Sequence, residues 1–74
     1  MSRLIRMDHT GHSTLAEWTA EDDTAYAAAV EAFRRELDAG YIGVVSDGPG
    51  HATQVHELPA DAATVILRRP IAGG

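Results

Sequence analysis

The chain has 74 residues, no cysteine and no lysine, and its eleven acidic residues against six arginines give a formal net charge of −5. This length accommodates one small domain with a core worth only about 3–5 kcal/mol of net stability, and the lack of cysteine excludes disulfides and thiolate metal sites. An acidic chain without a basic stripe is a poor candidate for binding nucleic acid. No apolar run approaches the ~20 residues that a membrane span needs. We therefore expect a cytoplasmic protein without a nucleic-acid or membrane partner.

The N-terminal segment predicts a β-hairpin. Ile5 and Met7 alternate with Arg6 and Asp8, which is typical of a half-buried strand over residues 3–8. Residues 9–12 are predicted to form a turn, in which Gly11 can adopt a positive φ. Thr14 to Trp18 then forms the return strand, and Trp18 is expected to cap the core.

One amphipathic helix follows the hairpin. Thr19 to Asp23 supplies capping side chains and an acidic first turn, which suits the positive end of a helix. Gly40 is predicted to end the helix as a left-handed residue. Apolar residues recur between them with helical spacing, at Tyr26, Val30, Phe33 and Leu37.

The C-terminal half predicts three more strands. Residues 41–46 form a β-branched strand, and Asp47-Gly48-Pro49-Gly50 forms a turn. The more polar stretch from Thr53 to Leu58 is predicted to lie at a sheet edge. Residues 64–69 contain the continuous apolar run Val65-Ile66-Leu67, which favours a central strand.

These elements predict an α+β fold with the order β-β-α-β-β-β, in which one helix packs on a mixed four- to five-stranded sheet. Residues 1–69 form the single domain, and residues 70–74 are predicted to be a flexible C-terminal tail. The apolar helix stripe is expected to pack on Ile5, Met7, Ile42, Val44, Val65 and Leu67.

The element order and the C-terminal residues together resemble a known family. A hairpin, a helix and further strands that end in a central strand resemble the β-grasp fold of ubiquitin, and the Thr10-Gly11 turn is similar to the first hairpin turn of ubiquitin. The ending Pro70-Ile71-Ala72-Gly73-Gly74 resembles the Pro-Val-Ala-Gly-Gly type of ending in MoaD-like sulfur carriers, with Ile71 in place of the usual valine.

The resemblance implies a function in which the C-terminal carboxylate reacts. Gly74 would carry the carboxylate that an E1-like activating enzyme adenylates, and Gly73 would provide clearance because glycine has no Cβ. Pro70 and Ile71 would belong to the arm that enters the partner. Arg68 and Arg69 would dock on an acidic surface of that partner.

Other chemistry is less well supported by the residues. Ser13, His12 and Asp8 are the residue types of a hydrolytic triad, but they lie in one short segment of a chain too small to enclose a substrate cavity, so we expect no enzyme and no cofactor. His9 and His12 flank one turn, yet their spacing matches no metal motif. The alternative function is a non-catalytic protein-binding module that uses an edge strand or an exposed face.

Overall fold

The structure, a computed structural model, describes residues 1–48 and 51–69. Part of the predicted turn, Pro49 and Gly50, and the predicted tail, residues 70–74, lie outside the described residues. The elements are β1 (Ser2–Asp8), β2 (Gly11–Trp18), α1 (Asp23–Asp38), β3 (Ile42–Gly48), β4 (His51–Val55) and β5 (Thr64–Arg68).

The five strands form one mixed sheet in the order β2-β1-β5-β3-β4. The first and last strands pair in parallel, and every other neighbouring pair is antiparallel. This arrangement confirms the predicted α+β, β-grasp-like architecture with one helix on a mixed sheet. It also confirms that the last strand is central, because β5 lies between β1 and β3.

The predicted edge strand ends earlier than expected. β4 does lie at an edge of the sheet, but it spans His51–Val55 rather than Thr53 to Leu58. Leu58 has left the strand and is buried at 5% exposure, and its carbonyl accepts a hydrogen bond from the Tyr26 hydroxyl. Because Leu58 packs into the core, residues 56–58 do not continue β4 alongside β3.

Both ends of α1 are capped as the sequence predicts. The Asp22 side chain accepts a hydrogen bond from the Ala25 backbone N–H at 2.9 Å. At the other end, Gly40 has a φ of +102°, and the N–H groups of Gly40 and Tyr41 donate to the carbonyls of Leu37 and Glu36. This pair of bonds is a Schellman motif, which explains why glycine stands there.

The predicted core was partly wrong, because β1 and β3 turn the other face toward the helix. The helix stripe does pack as predicted, with Phe33 buried and Tyr26, Val30 and Leu37 partly buried around it. Val65 and Leu67 are buried as predicted. The four other predicted partners lie on the opposite side of the sheet: Ile5, Met7, Ile42 and Val44. The buried core consists of Leu4, Trp18, Ala29, Phe33, Leu58, Val65 and Leu67.

Arg6 explains why the wrong face of β1 was predicted to point toward the helix. It shares the helix-facing side of β1 with Leu4, because side chains alternate along a strand. Its Nη1 donates a hydrogen bond of 2.7 Å to Glu36 Oε1 on α1. This bond and the charge of Glu36 raise the pKa of Arg6 above its ordinary value. Because the polar Arg6 points toward the helix, the alternation of polar and apolar residues in β1 indicates the wrong face as the buried one.

Gly43 occupies the matching position on β3. It lies opposite Leu67 and is buried against the ring of Phe33. A Cβ at this position would lie 2.5 Å from Phe33 Cε1 and 2.8 Å from Cζ. The helix therefore approaches the sheet closely at a point where only glycine leaves room for the phenyl ring.

Candidate functional site

The sheet face that points away from α1 carries a row of apolar side chains. Ile5, Ile66 and Val44 are direct neighbours across β1, β5 and β3. Met7 lies two residues after Ile5 in β1, and Ile42 lies two residues before Val44 in β3. Met7 is 46% exposed. We call these five residues the open-face patch. Because α1 covers the other face, the patch presents apolar surface outward, and such surface often marks an interaction site.

Cationic side chains border the open-face patch. Arg68 is exposed and pairs in register with Met7 on one side and Ile42 on the other. Arg3 and Glu17 lie across the β1–β2 pair, with Arg3 Nε 3.6 Å from Glu17 Oε2. The exposed acidic residues of this acidic chain concentrate instead on α1 and the segment before it: Glu21, Asp22, Asp23, Glu31 and Asp38. The helix also carries the exposed Arg34 and Arg35, so charges of both signs lie on that side.

The end of β5 holds the two arginines that the sequence predicts to dock on a partner, and the structure gives them different surroundings. The side chain of Arg69 turns toward the end of α1, where Nη2 donates a hydrogen bond of 3.0 Å to the Ala39 carbonyl. Its guanidinium carbon lies 5.5 Å from the centroid of the Tyr41 ring. Arg68 and Arg69 line one side of a depression of about 430 Å³, and Met7, Asp8, His9 and Tyr41 complete its lining.

The predicted attachment residues Gly73 and Gly74, and the predicted docking residues Pro70 and Ile71, lie outside the described residues. In the sequence they follow the end of the central strand β5, which lies beside the open-face patch and the depression at Tyr41.

The β1–β2 turn is stabilised by its own side chains. Thr10 donates to Asp8 Oδ1 from its backbone N–H at 2.8 Å and also from its hydroxyl. These two hydrogen bonds lower the pKa of Asp8 below its ordinary value. The Asp8 carboxylate is thus committed to the turn, as aspartate often is in such positions.

The other candidate groups are not brought together for chemistry. His12 lies opposite Met7 on the open face, whereas Ser13 lies opposite Arg6 on the helix-facing side of β2. Consecutive residues on a strand cannot converge on one substrate. Within residues 1–48 and 51–69, no three His, Cys, Asp or Glu side chains are grouped so that they could hold a metal ion. Nor does the described part of the chain contain a helix long and apolar enough to cross a membrane.

The sequence predicts Arg68 and Arg69 as docking residues, but four of the five residues of the open-face patch are predicted to lie in the core instead. The signal that could have found it is Leu4, whose burial fixes the phase of β1. The sequence matches no protein-family profile, and no curated protein or solved structure is significantly similar to it. The arguments for function therefore come from the geometry and the residues of this chain.

Proposed function

We propose that this chain is a ubiquitin-like or sulfur-carrier-like small protein that acts through the carboxylate of Gly74. It would work in the cytoplasm as a carrier rather than an enzyme, without a cofactor, and its partner would be an E1-like activating enzyme. The observation that carries the proposal is that Pro70-Ile71-Ala72-Gly73-Gly74 follows β5 in the sequence, separated from it by Arg69 alone, and that β5 is the central strand of a β-grasp-like sheet.

These residues follow a strand that is held firmly in the sheet. β5 is paired on both sides, in parallel with β1 and antiparallel with β3. Because β5 is hydrogen-bonded to a strand on each side, the residues that follow it start from a fixed position in the domain. The two glycines suit the reacting end, because the lack of a Cβ lets an enzyme's backbone approach the carbonyl closely.

The surface beside the end of β5 favours the binding of a protein partner. The open-face patch offers apolar area, and the exposed Arg68 at its border offers a positive charge. An activating enzyme with acidic side chains around an apolar contact would complement both features. Charge complementarity of this kind mainly sets the rate and specificity of association.

The lack of cysteine allows a direct test of the sulfur-carrier form. The chain, tagged at its N-terminus, is produced in its source cells, purified under denaturing conditions and treated with a biotin-linked iodoacetamide. Because the chain has no thiol of its own, specific labelling would report sulfur on the terminal carboxyl group. Covalent adducts through Gly74, seen as species that survive denaturation, would report the ubiquitin-like form.

The matched control is a variant lacking Gly73 and Gly74, which keeps both methionines and so corrects for slow alkylation of thioethers. The proposal predicts label or adducts in the full chain and neither in the control. Equal signals in the two chains, or none in either, would contradict it.

The open-face patch also favours a second candidate, a non-catalytic module that binds a protein carrying apolar and acidic residues. The two candidates respond differently to two variants. An Ile66→Asp variant would disrupt the complex of a binding module, because it places a charged group in the middle of the apolar row. Deletion of Gly73 and Gly74 would leave that complex intact, whereas it would abolish every reaction of a carrier. Native sizing of complexes from the source cells distinguishes these patterns.

A further inference from the structure

The two arginines at the end of β5 face opposite sides of the sheet. Arg68 shares the open face with Ile66, since residues two apart along a strand lie on the same side. Arg69 turns toward the end of α1. Both side chains are exposed, but Arg69 contacts the end of α1 whereas Arg68 lies on the open face.

Arg69 is fixed by two contacts of different kinds. Its Nη2 donates to the carbonyl of Ala39, the C-cap residue of α1, at 3.0 Å. Its guanidinium also lies over the Tyr41 ring, with 5.5 Å between the guanidinium carbon and the ring centroid. A cation within about 6 Å of an aromatic centroid is attracted to the ring face.

The Arg69 guanidinium lies beside Gly40, where a Cβ would be in ordinary van der Waals contact with Arg69 Nη2 at 3.7 Å. Glycine is favoured at this position by its positive φ of +102° rather than by the arginine. The C-terminal end of a helix carries partial negative charge, which further favours a cation there. Hydrogen bond, ring face and helix end thus converge on one side chain.

We propose that Arg69 is a positioning residue that anchors the base of the C-terminal segment to the end of α1. This inference rests on the proposed function, in which Gly74 must reach a reaction centre. Gly74 lies five residues after Arg69, and at about 3.3–3.6 Å per extended residue this stretch can span at most about 18 Å. The anchor therefore sets the distance from the domain at which a partner can act on Gly74.

The isolated chain, labelled with ¹⁵N, tests the anchor without any partner. Backbone order parameters at the amides of residues 69 and 71 are measured for the wild type and for Arg69→Ala, Arg69→Lys, Tyr41→Leu and Arg68→Ala. We expect about 0.85 at residue 69 in the wild type and below about 0.6 in Arg69→Ala, the ranges of rigid and mobile backbone. Tyr41→Leu, which removes the ring face but keeps apolar volume, should give an intermediate value at residue 69. The value at residue 71 should also fall in Arg69→Ala.

Arg69→Lys keeps a donor but not the planar group, so it should restore the residue 69 value only in part. Arg68→Ala is the matched control and should leave both amides unchanged. Equal losses in Arg68→Ala and Arg69→Ala would overturn the proposal, as would a melting temperature that falls in Arg69→Ala while both order parameters stay constant. These outcomes are independent of the proposed function, which fails only if Gly74 is never activated.

Discussion

Single residues set how closely the helix approaches the sheet, and Gly43 is the clearest case. Replacing Gly43 by alanine would place a methyl group 2.5 Å from Phe33 Cε1. Extra atoms in a packed core typically cost about 1–3 kcal/mol of the free energy of unfolding. We expect Gly43→Ala to lower the stability measured by urea denaturation by an amount in that range.

A second substitution separates this clash from other effects of alanine in a strand. Phe33→Leu leaves space beside residue 43, so the double variant Gly43→Ala/Phe33→Leu should lose less stability than the sum of the single variants. Strict additivity in this double-mutant cycle would show that the ring and residue 43 do not compete for space.

Asp8 should make the stability of the protein sensitive to acid. Hydrogen bonds from Thr10 lower the pKa of Asp8 in the folded state. A carboxyl group with a lowered folded pKa contributes stability above its unfolded pKa of about 3.9, and the contribution is lost as the pH falls through the folded value. We expect the difference in free energy of unfolding between wild type and Asp8→Asn to be constant above about pH 5 and to shrink in more acidic solution. Denaturation series at several pH values test this, and a difference that grows on acidification would contradict it.

At the scale of elements, α1 shows how a capping side chain contributes to stability. The Asp22 carboxylate accepts a hydrogen bond from the Ala25 N–H, which otherwise has no partner within the helix. Asp22→Ala should lower the free energy of unfolding by about 1 kcal/mol, the usual value for a lost N-cap. Thermal melts of the variants test this. Asp22→Asn, which keeps a capping oxygen, is the control and should retain most of the stability.

The two faces of β5 give the sharpest test of the sheet's orientation. Leu67 is fully buried beneath α1, whereas its neighbour Ile66 belongs to the open-face patch. Leu67→Ala should cost about 2–5 kcal/mol, and Ile66→Ala should cost less than half as much as Leu67→Ala. Comparable losses in chemical denaturation would mean that a second layer covers the open face in solution.

The elements that the sequence predicted well are those with local signals. The helix stripe, the Asp22 region and Gly40 are all recognisable within a few residues. The orientation of β1 was missed because it depends on the bond between Arg6 and Glu36, which are 30 residues apart. No local pattern contains that information. The same single-residue error hid the open-face patch, since a shift of one residue exchanges the two faces of a strand.

At the scale of the whole molecule, the fold separates two kinds of surface. The helix side carries exposed charges of both signs, while the open face carries apolar side chains bordered by Arg3 and Arg68. β5 ends beside that face, and the sequence continues from it to Gly73-Gly74. The proposed function draws on this arrangement: the sheet face would bind the partner, and Gly74 would be presented to it.

The intact mass of the protein isolated from its source cells tests the central claim most directly. The account predicts a chain that ends at Gly74, with a fraction about 16 Da heavier because sulfur replaces one oxygen of the terminal carboxyl group, or a fraction joined to another molecule through Gly74. Fragmentation should place the change on the last residue. A mass that shows further residues after Gly74, or an unmodified carboxylate that persists after incubation with ATP and an extract of the source cells, would contradict it.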